Sequence, residues 1–357
     1  MKKNLRVIYL IILWTSQSVL AGEIYQFYRG SRSLGMGGAG VAVVNDETAL
    51  LVNPAGLGKL RDSYGTILDP EVELGNNLTS IYKAKAFSNP YDIASVLPSV
   101  QQSPDTYYHA KAQLFPSYVV RNFGIGIFGR YSLDTQLVTG QSTMQTNYYN
   151  DLALVLGYNL RLWDGRIKIG VAGRFLNRIE VNKAIDPTGD LTLATHAAEG
   201  AAIGTDVGLT LAAPWYMIPT ISVVSRDVGN TQFNAGSGLR MTTTNHPNTI
   251  NQDYDVAVAI FPIHSKYVRT TWTLEYQKIT EASKATDKSR YYHGGMEFNI
   301  ADTLFVRAGM NQKYWTAGLE LATEHTQFMM TSYGEDVGAD GASVEDRRFA
   351  MKFSVRF

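Results

Sequence analysis

The side chains best suited to proton transfer near neutral pH are six histidines, His109, His196, His246, His264, His293 and His325. Their spacing serves no catalytic arrangement. There is no His-Glu-x-x-His pair for zinc and no Gly-x-Ser-x-Gly elbow for a serine nucleophile. His196, His246 and His264 fall in expected loops or turns. The chain has no cysteine, which excludes a disulfide framework, a thiolate metal site and a lipid anchor on an N-terminal Cys. The stretch with Glu335, Asp336, Asp340, Glu345 and Asp346 offers carboxylates to calcium. It lacks the ligand spacing and closing Glu of an EF-hand loop, so a solvated outer loop is expected. The run from Gly35 to Gly40 could be a dinucleotide loop only inside a strand–helix–strand unit, and none follows. The chemistry therefore points to a protein with no catalytic residue, no metal and no cofactor, and not to an enzyme. A hydrolase with an acid–His or Ser–His pair assembled from distant strands is the weaker alternative.

The remaining charges sit in alternating segments. Ile125, Ile127, Gly129, Tyr131 and Leu133 face one way, with Gly126, Arg130, Ser132 and Asp134 opposite. The same alternation runs through 152–162, 167–175, 206–211, 271–276, 296–300 and 304–311. A strand points successive side chains to opposite faces, so each segment has one apolar face and one face that carries its charge. Arg130, Arg166, Lys168, Arg174, Asp206, Glu275, Glu297, Arg307, Glu320 and Lys352 fall on the charged face. Mixed signs there are expected to pair with one another or to hold a plug, or else to line a route.

The final residues, 349–357, show the pattern most clearly. Phe349, Met351, Phe353, Val355 and Phe357 form an apolar row, while Lys352 and Arg356 lie on the other face. An amphipathic edge strand of a soluble sandwich would read the same way. A last strand ending on Phe resembles the assembly signal of bacterial outer-membrane barrels, carried here by Phe353 and Phe357.

The alternating segments cover 62–75, 107–121, 123–138, 146–163, 165–183, 202–215, 217–226, 251–262, 266–279, 289–300, 303–312, 313–323, 325–334 and 346–357. Fourteen is an even number, as bacterial barrels have, though boundary error leaves twelve or sixteen compatible. Tight links at Asn122, Asp164-Gly165, Pro214 to Tyr216, Ile263 to Ser265, Ala301-Asp302 and Glu324 alternate with longer ones near 76–106, 184–201, 227–250, 280–288 and 335–345. Short turns on one rim and long loops on the other are the signature of a transmembrane β-barrel. Gln312-Lys313 is the exception, a tight link on the long-loop side. The first long loop is expected to be partly helical from Ile93 to Gln101, after Asn89-Pro90-Tyr91.

Residues 1–21 read as a signal peptide. Lys2, Lys3 and Arg6 precede a short apolar core, Val7 to Trp14, and Val19-Leu20-Ala21 suits cleavage after Ala21. An uncleaved anchor helix is the alternative, but the core is shorter than the ~20 residues a span needs. No later stretch is long and apolar enough for a helical span, which leaves export or a barrel. The chain has 32 basic and 32 acidic residues. Losing the three leader cations makes the mature chain mildly acidic, and neither state suggests nucleic acid. Abundant Gly and Tyr, 32 and 21 residues, suit small lumen-facing positions and aromatic girdles.

Residues 30–60 break the alternation. They contain Arg32-Ser33-Leu34-Gly35-Met36-Gly37-Gly38-Ala39, then Asp46 and Ala49, then Asn53-Pro54-Ala55-Gly56-Leu57. This stretch resembles the start of the FadL-type outer-membrane transporter superfamily, which includes transporters of fatty acids and aromatic hydrocarbons and the PorV-like secretion proteins. The resemblance is specific over about residues 30–60. It implies an all-β transmembrane antiparallel barrel of fourteen strands, with an N-terminal hatch inside. The expected layout is 1–21 signal peptide, 22–60 hatch and 61–357 barrel in the bacterial outer membrane. Gly35, Gly37, Gly38, Asn53, Pro54 and Ala55 are the hatch or gate residues it implies.

The expected activity is passive transport of small hydrophobic molecules such as fatty acids or aromatic compounds. The alternative is a PorV-like scaffold for secretion or surface attachment, toward which the Gly35-Met36-Gly37-Gly38 wording and the short chain lean. Expected partners are outer-membrane lipid and lipopolysaccharide, the barrel-assembly machinery, and either a hydrophobic ligand or a secreted protein. Ligand identity, oligomeric state and whether the lumen is open stay undecided at this level.

Overall fold

The computed structural model describes residues 22–77, 93–234, 239–241 and 243–357. The leader and Asn89-Pro90-Tyr91 lie outside these residues.

Fourteen antiparallel strands close into a barrel. The strands are β1 (Tyr64–Leu68 and Glu71–Gly75), β2 (Tyr108–Leu114 and Ser117–Val120), β3 (Phe123–Leu137), β4 (Met144–Leu162) and β5 (Ile167–Ile185). They continue with β6 (Ala198–Ala212), β7 (Thr220–Arg226), β8 (Asp253–Ile260), β9 (Val268–Tyr276) and β10 (Tyr292–Ile300). The last four are β11 (Leu304–Asn311), β12 (Tyr314–Ala322), β13 (Thr326–Asp336) and β14 (Glu345–Arg356). Each pairs with its sequence neighbours, and β14 pairs with β1 to close the wall (Met351 opposite Val72, Arg356 opposite Thr66).

Twelve and sixteen strands are thereby excluded. β1 and β2 are each single barrel strands, broken in the middle because Pro70 and Pro116 have no N–H for the ladder. The two breaks lie side by side. The Asp69 carboxylate fills the gap by accepting the Phe115 N–H at 2.5 Å, and the Phe115 ring turns into the core.

The seam carries the C-terminal residue. Phe357 N–H donates to Gly65 O, and Gly65 N–H to Phe357 O, both at 3.0 Å. The Phe357 ring lies over Gly65, where any Cβ would collide with it. Phe349, Met351 and Phe353 form an exposed outward row above it.

Similar rows encircle the barrel, including Ile125, Leu154, Val171, Leu209 and Leu319. Trp163, Trp215, Tyr216 and Tyr267 are exposed at the short-turn rim, and Tyr292 and Trp315 near the other. An apolar band between aromatic girdles is the exterior of a membrane-spanning barrel. The short turns are built from positive-φ pairs such as Ala301-Asp302, at 56° each, which match the twist of a two-residue hairpin. Gln312-Lys313 is tight on the long-loop side, as its sequence indicates.

β4 and β5 have 19 residues each, while β7 has 7. A tilted membrane strand needs ~9–11 residues, so this side of the wall projects beyond the bilayer. There the outward row, with Tyr131, Leu133, Tyr148, Ile179 and Val181, is buried. Val96 and Val100, from the helical turns Ile93–Val96 and Leu97–Gln102, cover it with Leu191 and Leu193. The expected helix in the first long loop is present.

Candidate functional site

Residues 22–60 thread the lumen from the long-loop end to the short-turn end. At the top, Arg290 donates to Gly22 O at 3.0 Å. Ile24 packs on Ala282 and Tyr291, and Glu23 pairs with Arg348 at 2.7 Å. Lower down, Tyr25 and Phe27 stack on guanidinium groups from the wall. Arg178 lies 5.0 Å from the Tyr25 ring centre, and Arg174 lies 4.6 Å from that of Phe27. At the bottom, Glu47 pairs with Arg356 at 2.7 Å.

The Asn53-Pro54-Ala55 element forms a cap. Pro54 opens the short 3-10 helix Pro54–Lys59, a position where its missing N–H costs nothing. Asn53 is fully buried. Its Oδ1 accepts the Ala55 N–H at 3.0 Å, and its Nδ2 donates to Val41 O at 2.8 Å and to Thr210 Oγ1 on β6 at 3.3 Å. The turn presses on Gly170 of β5 and Gly208 of β6. A Cβ at Gly170 would strike the Pro54 carbonyl group, and one at Gly208 the Asn53 side chain.

Gly35, Gly37 and Gly38 form a second seat. Gly37 and Gly38 have φ of +71° and +83°, which L side chains adopt at a cost. The Gly37 N–H donates to Thr316 Oγ1, and Thr316 Oγ1 donates to Gly35 O, both at 3.0 Å. His293 Nδ1 donates to Gly37 O at 2.9 Å. Met36 lies directly on the backbone of Gly295 and Gly309, and Gly35 on Gly318. Just beyond, the Glu275 carboxylate accepts the N–H groups of Gly40 and Val41, each at 2.9 Å.

Ion pairs complete the filling. Arg32 grips Glu297 with two nitrogens at 3.0 Å and reaches Asp46 at 3.1 Å. Arg307 joins Glu297 to Glu320. Arg130 and Arg178 share Asp151, Arg174 joins Asp206 to Asp227, and Lys352 meets Asp69 at 3.2 Å. Burial works to raise the Asp46 carboxyl, but Arg32 and then Arg356 hold it at about 2. Burial, then Lys168 and Arg32, lower the Lys59 ammonium to about 7. The lumen-facing charges thus pair with one another and with the N-terminal segment. Two differ: Arg166 is exposed in the β4–β5 turn, and Lys168 donates to the Gly165 carbonyl and meets no carboxylate.

Among the described residues, one carboxylate–histidine group sits near the top. His109 faces Asp134 at 2.5 Å and Glu73 at 2.8 Å, with Glu23 close by. Arg348 and Lys111 neutralise these carboxylates, so the group reads as a buried ion network rather than a metal seat. The acidic loop is similarly committed. Asp340 accepts the N–H groups of Thr286 and Asp287, Asp336 those of Gly338 and Val344, and Glu345 and Asp346 pair with Arg347 and Arg348.

Among the described residues, a cavity of about 40 Å³ lies in the lumen beside Tyr28, Met36, Val43, Val44 and Met329. A cavity of ~150 Å³ accepts benzene, so this one has no room for even a single ring.

Of the residues that the family resemblance implied, Gly35, Gly37, Asn53, Pro54 and Ala55 lie against wall glycines, and Gly38 lies against His293 and Asn311. The sequence put Glu275 on the charged face without naming its partner, and it did not single out Thr210, Thr316 or the wall residues Gly170, Gly208, Gly295 and Gly309. Glycine on the charged face of a strand was the available signal, since glycine there marks close approach of another backbone.

No protein-family model and no curated protein sequence matches the chain. Solved structures do. The CymD monoaromatic hydrocarbon channel is 11% identical over 95% of this chain and 98% of that one, with a TM-score of 0.56. The Pseudomonas putida toluene transporter TodX is 10% identical over 94% and 98%, with a TM-score of 0.52. The Ralstonia pickettii toluene transporter TbuX is 13% identical over 95% and 99%, with a TM-score of 0.50. At such identities the likeness is one of fold. With its closed fourteen-stranded wall, the chain has the fold of the FadL-type outer-membrane transporters.

Proposed function

We propose that the protein is an outer-membrane channel for passive passage of small hydrophobic molecules, held shut by residues 22–60 acting as a hatch. The lipid-facing exterior and the expected leader, cleaved after Ala21, support this location. The carrying observation is how the lumen is closed. One separate segment, seated on wall glycines and buried polar contacts, fills it together with paired side chains of the barrel. A separate segment can leave while the ladder of the wall stays intact. Downhill diffusion then needs no cofactor and no covalent chemistry. The solved barrels that share the fold are described as monoaromatic hydrocarbon and toluene transporters, which supports an apolar cargo such as an aromatic compound or a fatty acid.

Pro54→Ala tests this reading. It loosens the turn that seats the hatch, because proline fixes its own φ and restricts the residue before it. Uptake of a hydrophobic fluorescent probe by whole cells is expected to change while the amount of folded barrel does not. Unchanged uptake in both this variant and a strain lacking the protein removes the transport reading.

A second reading has its own support. The 40 Å³ cavity is what a permanently plugged barrel would leave, and a PorV-like scaffold would work through its outer loops. In that case Pro54→Ala leaves cargo secretion or surface attachment intact, and loss of the protein abolishes it.

A further inference from the structure

Two aromatic rings of the N-terminal segment are held by arginines of the wall. The Tyr25 ring centre lies 5.0 Å from the Arg178 guanidinium and 5.3 Å from that of Arg130, and the Tyr149 ring stands 5.3 Å away. Both guanidinium groups also donate to the Tyr25 hydroxyl, Arg130 at 3.3 Å. The next ring, Phe27, lies 5.1 Å from Phe128 and 4.6 Å from Arg174.

This seat is built by the barrel. Asp151 holds Arg130 and Arg178 together, at 2.5 and 2.7 Å, while Asp206 and Asp227 hold Arg174. The Tyr149 ring rests against the same two guanidinium groups, at 5.3 and 5.1 Å. None of these contacts involves the segment, so the arginines stay paired when Tyr25 leaves. Among the described residues, the Nε atoms of Arg130 and Arg174 are buried without a hydrogen-bond partner. The seat therefore has donors that Tyr25 and Phe27 leave unused.

The segment is tied less firmly here than further along. Beyond Gly30 its backbone is fixed by helical turns and by the contacts of Asn53, Thr316 and Glu275. Residues 23–29 form no helix or strand, and among the described residues none of their N–H groups donates a hydrogen bond. Tyr25, Gln26 and Phe27 are only half-buried.

The chemistry of the seat selects its occupant. A guanidinium beside a ring face attracts it through the ring quadrupole. Arginine N–H groups are donors only, so two of them aimed at one point require an oxygen there. A ring without that oxygen leaves buried donors unpaired, which is how a site rejects a hydrocarbon analogue. The three arginines meet Asp151, Asp206, Asp227 and, at 3.9 Å, Glu180. With no net positive charge, the seat suits a neutral phenol better than an aromatic carboxylate.

We propose that the Tyr25 seat, with Arg130, Arg178 and Tyr149, is a binding site for a small phenol, and that the Tyr25 side chain is the internal occupant which a free phenol displaces. This rests on the channel reading for the departure of the segment, and it narrows the cargo from an apolar molecule to an aromatic ring that carries a hydroxyl.

The probes are p-cresol, the free counterpart of the Tyr25 side chain, and toluene, which lacks the hydroxyl. Each is titrated into the full mature chain in nanodiscs, and saturable binding is measured above partitioning into protein-free nanodiscs. A tethered ring competes at an effective concentration of order millimolar, so Tyr25→Ala is expected to tighten p-cresol binding by about tenfold or more. Tyr25→Phe, which keeps the ring without its hydroxyl, gives a smaller gain. In Tyr25→Ala, toluene binds more weakly than p-cresol by about tenfold, and adding Arg178→Lys removes that preference. If the double variant does not fold, as judged by heat-modifiable migration, the comparison of wild type, Tyr25→Phe and Tyr25→Ala decides. Equal p-cresol affinity in wild type and Tyr25→Ala overturns the proposal. Toluene binding as tightly as p-cresol overturns it in favour of a plain apolar seat, and benzoate binding more tightly than p-cresol overturns it in favour of an anion site. Failure of the channel reading shows instead in whole-cell uptake, which is the same with and without the protein, so the two failures are told apart.

Discussion

Asn53→Ala should unseat the hatch without unfolding the barrel. The Asn53 side chain is fully buried and serves two backbone groups, the Val41 carbonyl and the Ala55 N–H. Alanine reaches neither. Each buried polar group left without a partner costs ~1–3 kcal/mol, so the seated state loses ~2–6 kcal/mol. At 1.4 kcal/mol per tenfold, the midpoint raises the unseated fraction by about a thousandfold, and the lower bound by roughly thirtyfold. The wall pays almost none of this, since its only lost bond is the 3.3 Å contact to Thr210. Hydrogen exchange separates the two effects. Amides of 34–57 are expected to exchange faster by that factor, while β3–β6 keep their protection and gel migration stays heat-modifiable. Uptake of a hydrophobic probe should rise in parallel. Wild-type exchange across 34–57 would refute the view that this side chain holds the segment. Loss of protection throughout the barrel would refute the claim that the segment is energetically separate from the wall.

Deleting Phe357, or replacing it with Asp, should lower the yield of folded barrel, because the residue closes the β14–β1 seam with paired backbone bonds and a ring over Gly65; wild-type amounts of heat-modifiable protein would count against this. Mass spectrometry of protein from outer membranes should find Gly22 as the first residue, whereas an intact Met1 would sink the leader assignment. The Lys59 ammonium sits at about 7 in the fold against ~10.4 when free. The unfolded chain therefore binds more protons between these values, and seating should tighten as pH rises from about 7 toward 10. Lys59→Met should flatten that dependence of exchange at 34–57, and an unaltered profile would remove Lys59 as its cause.

The strands, their even number and the alternation of short and long links were legible in the chain, because each follows from local rules. Side chains alternate with period two. A turn needs its own few residues. Lipid tolerates no charge on the outward row. Phe349, Met351 and Phe353 could be placed on the lipid side from their spacing alone, and the structure leaves them there. The same rule puts Tyr131 and Leu133 on the row of Ile125 and Ile127, yet these two lie above the bilayer under Val96, Val100 and Leu193. Period gives the face of a strand, not what covers it. The fragments around Gly35 and Asn53 stood out as a departure from alternation, yet nothing in them says where they rest. That is decided by partners far along the chain. Asn53 meets Thr210 across 157 positions, and Gly40 meets Glu275 across 235. Whether the lumen is open was likewise beyond local reading. Its charges had mixed signs in any case, and only the closed wall brings Arg32 between Glu297 and Asp46, and Glu47 to Arg356. Pairing across a lumen depends on distances that exist only once β14 has met β1.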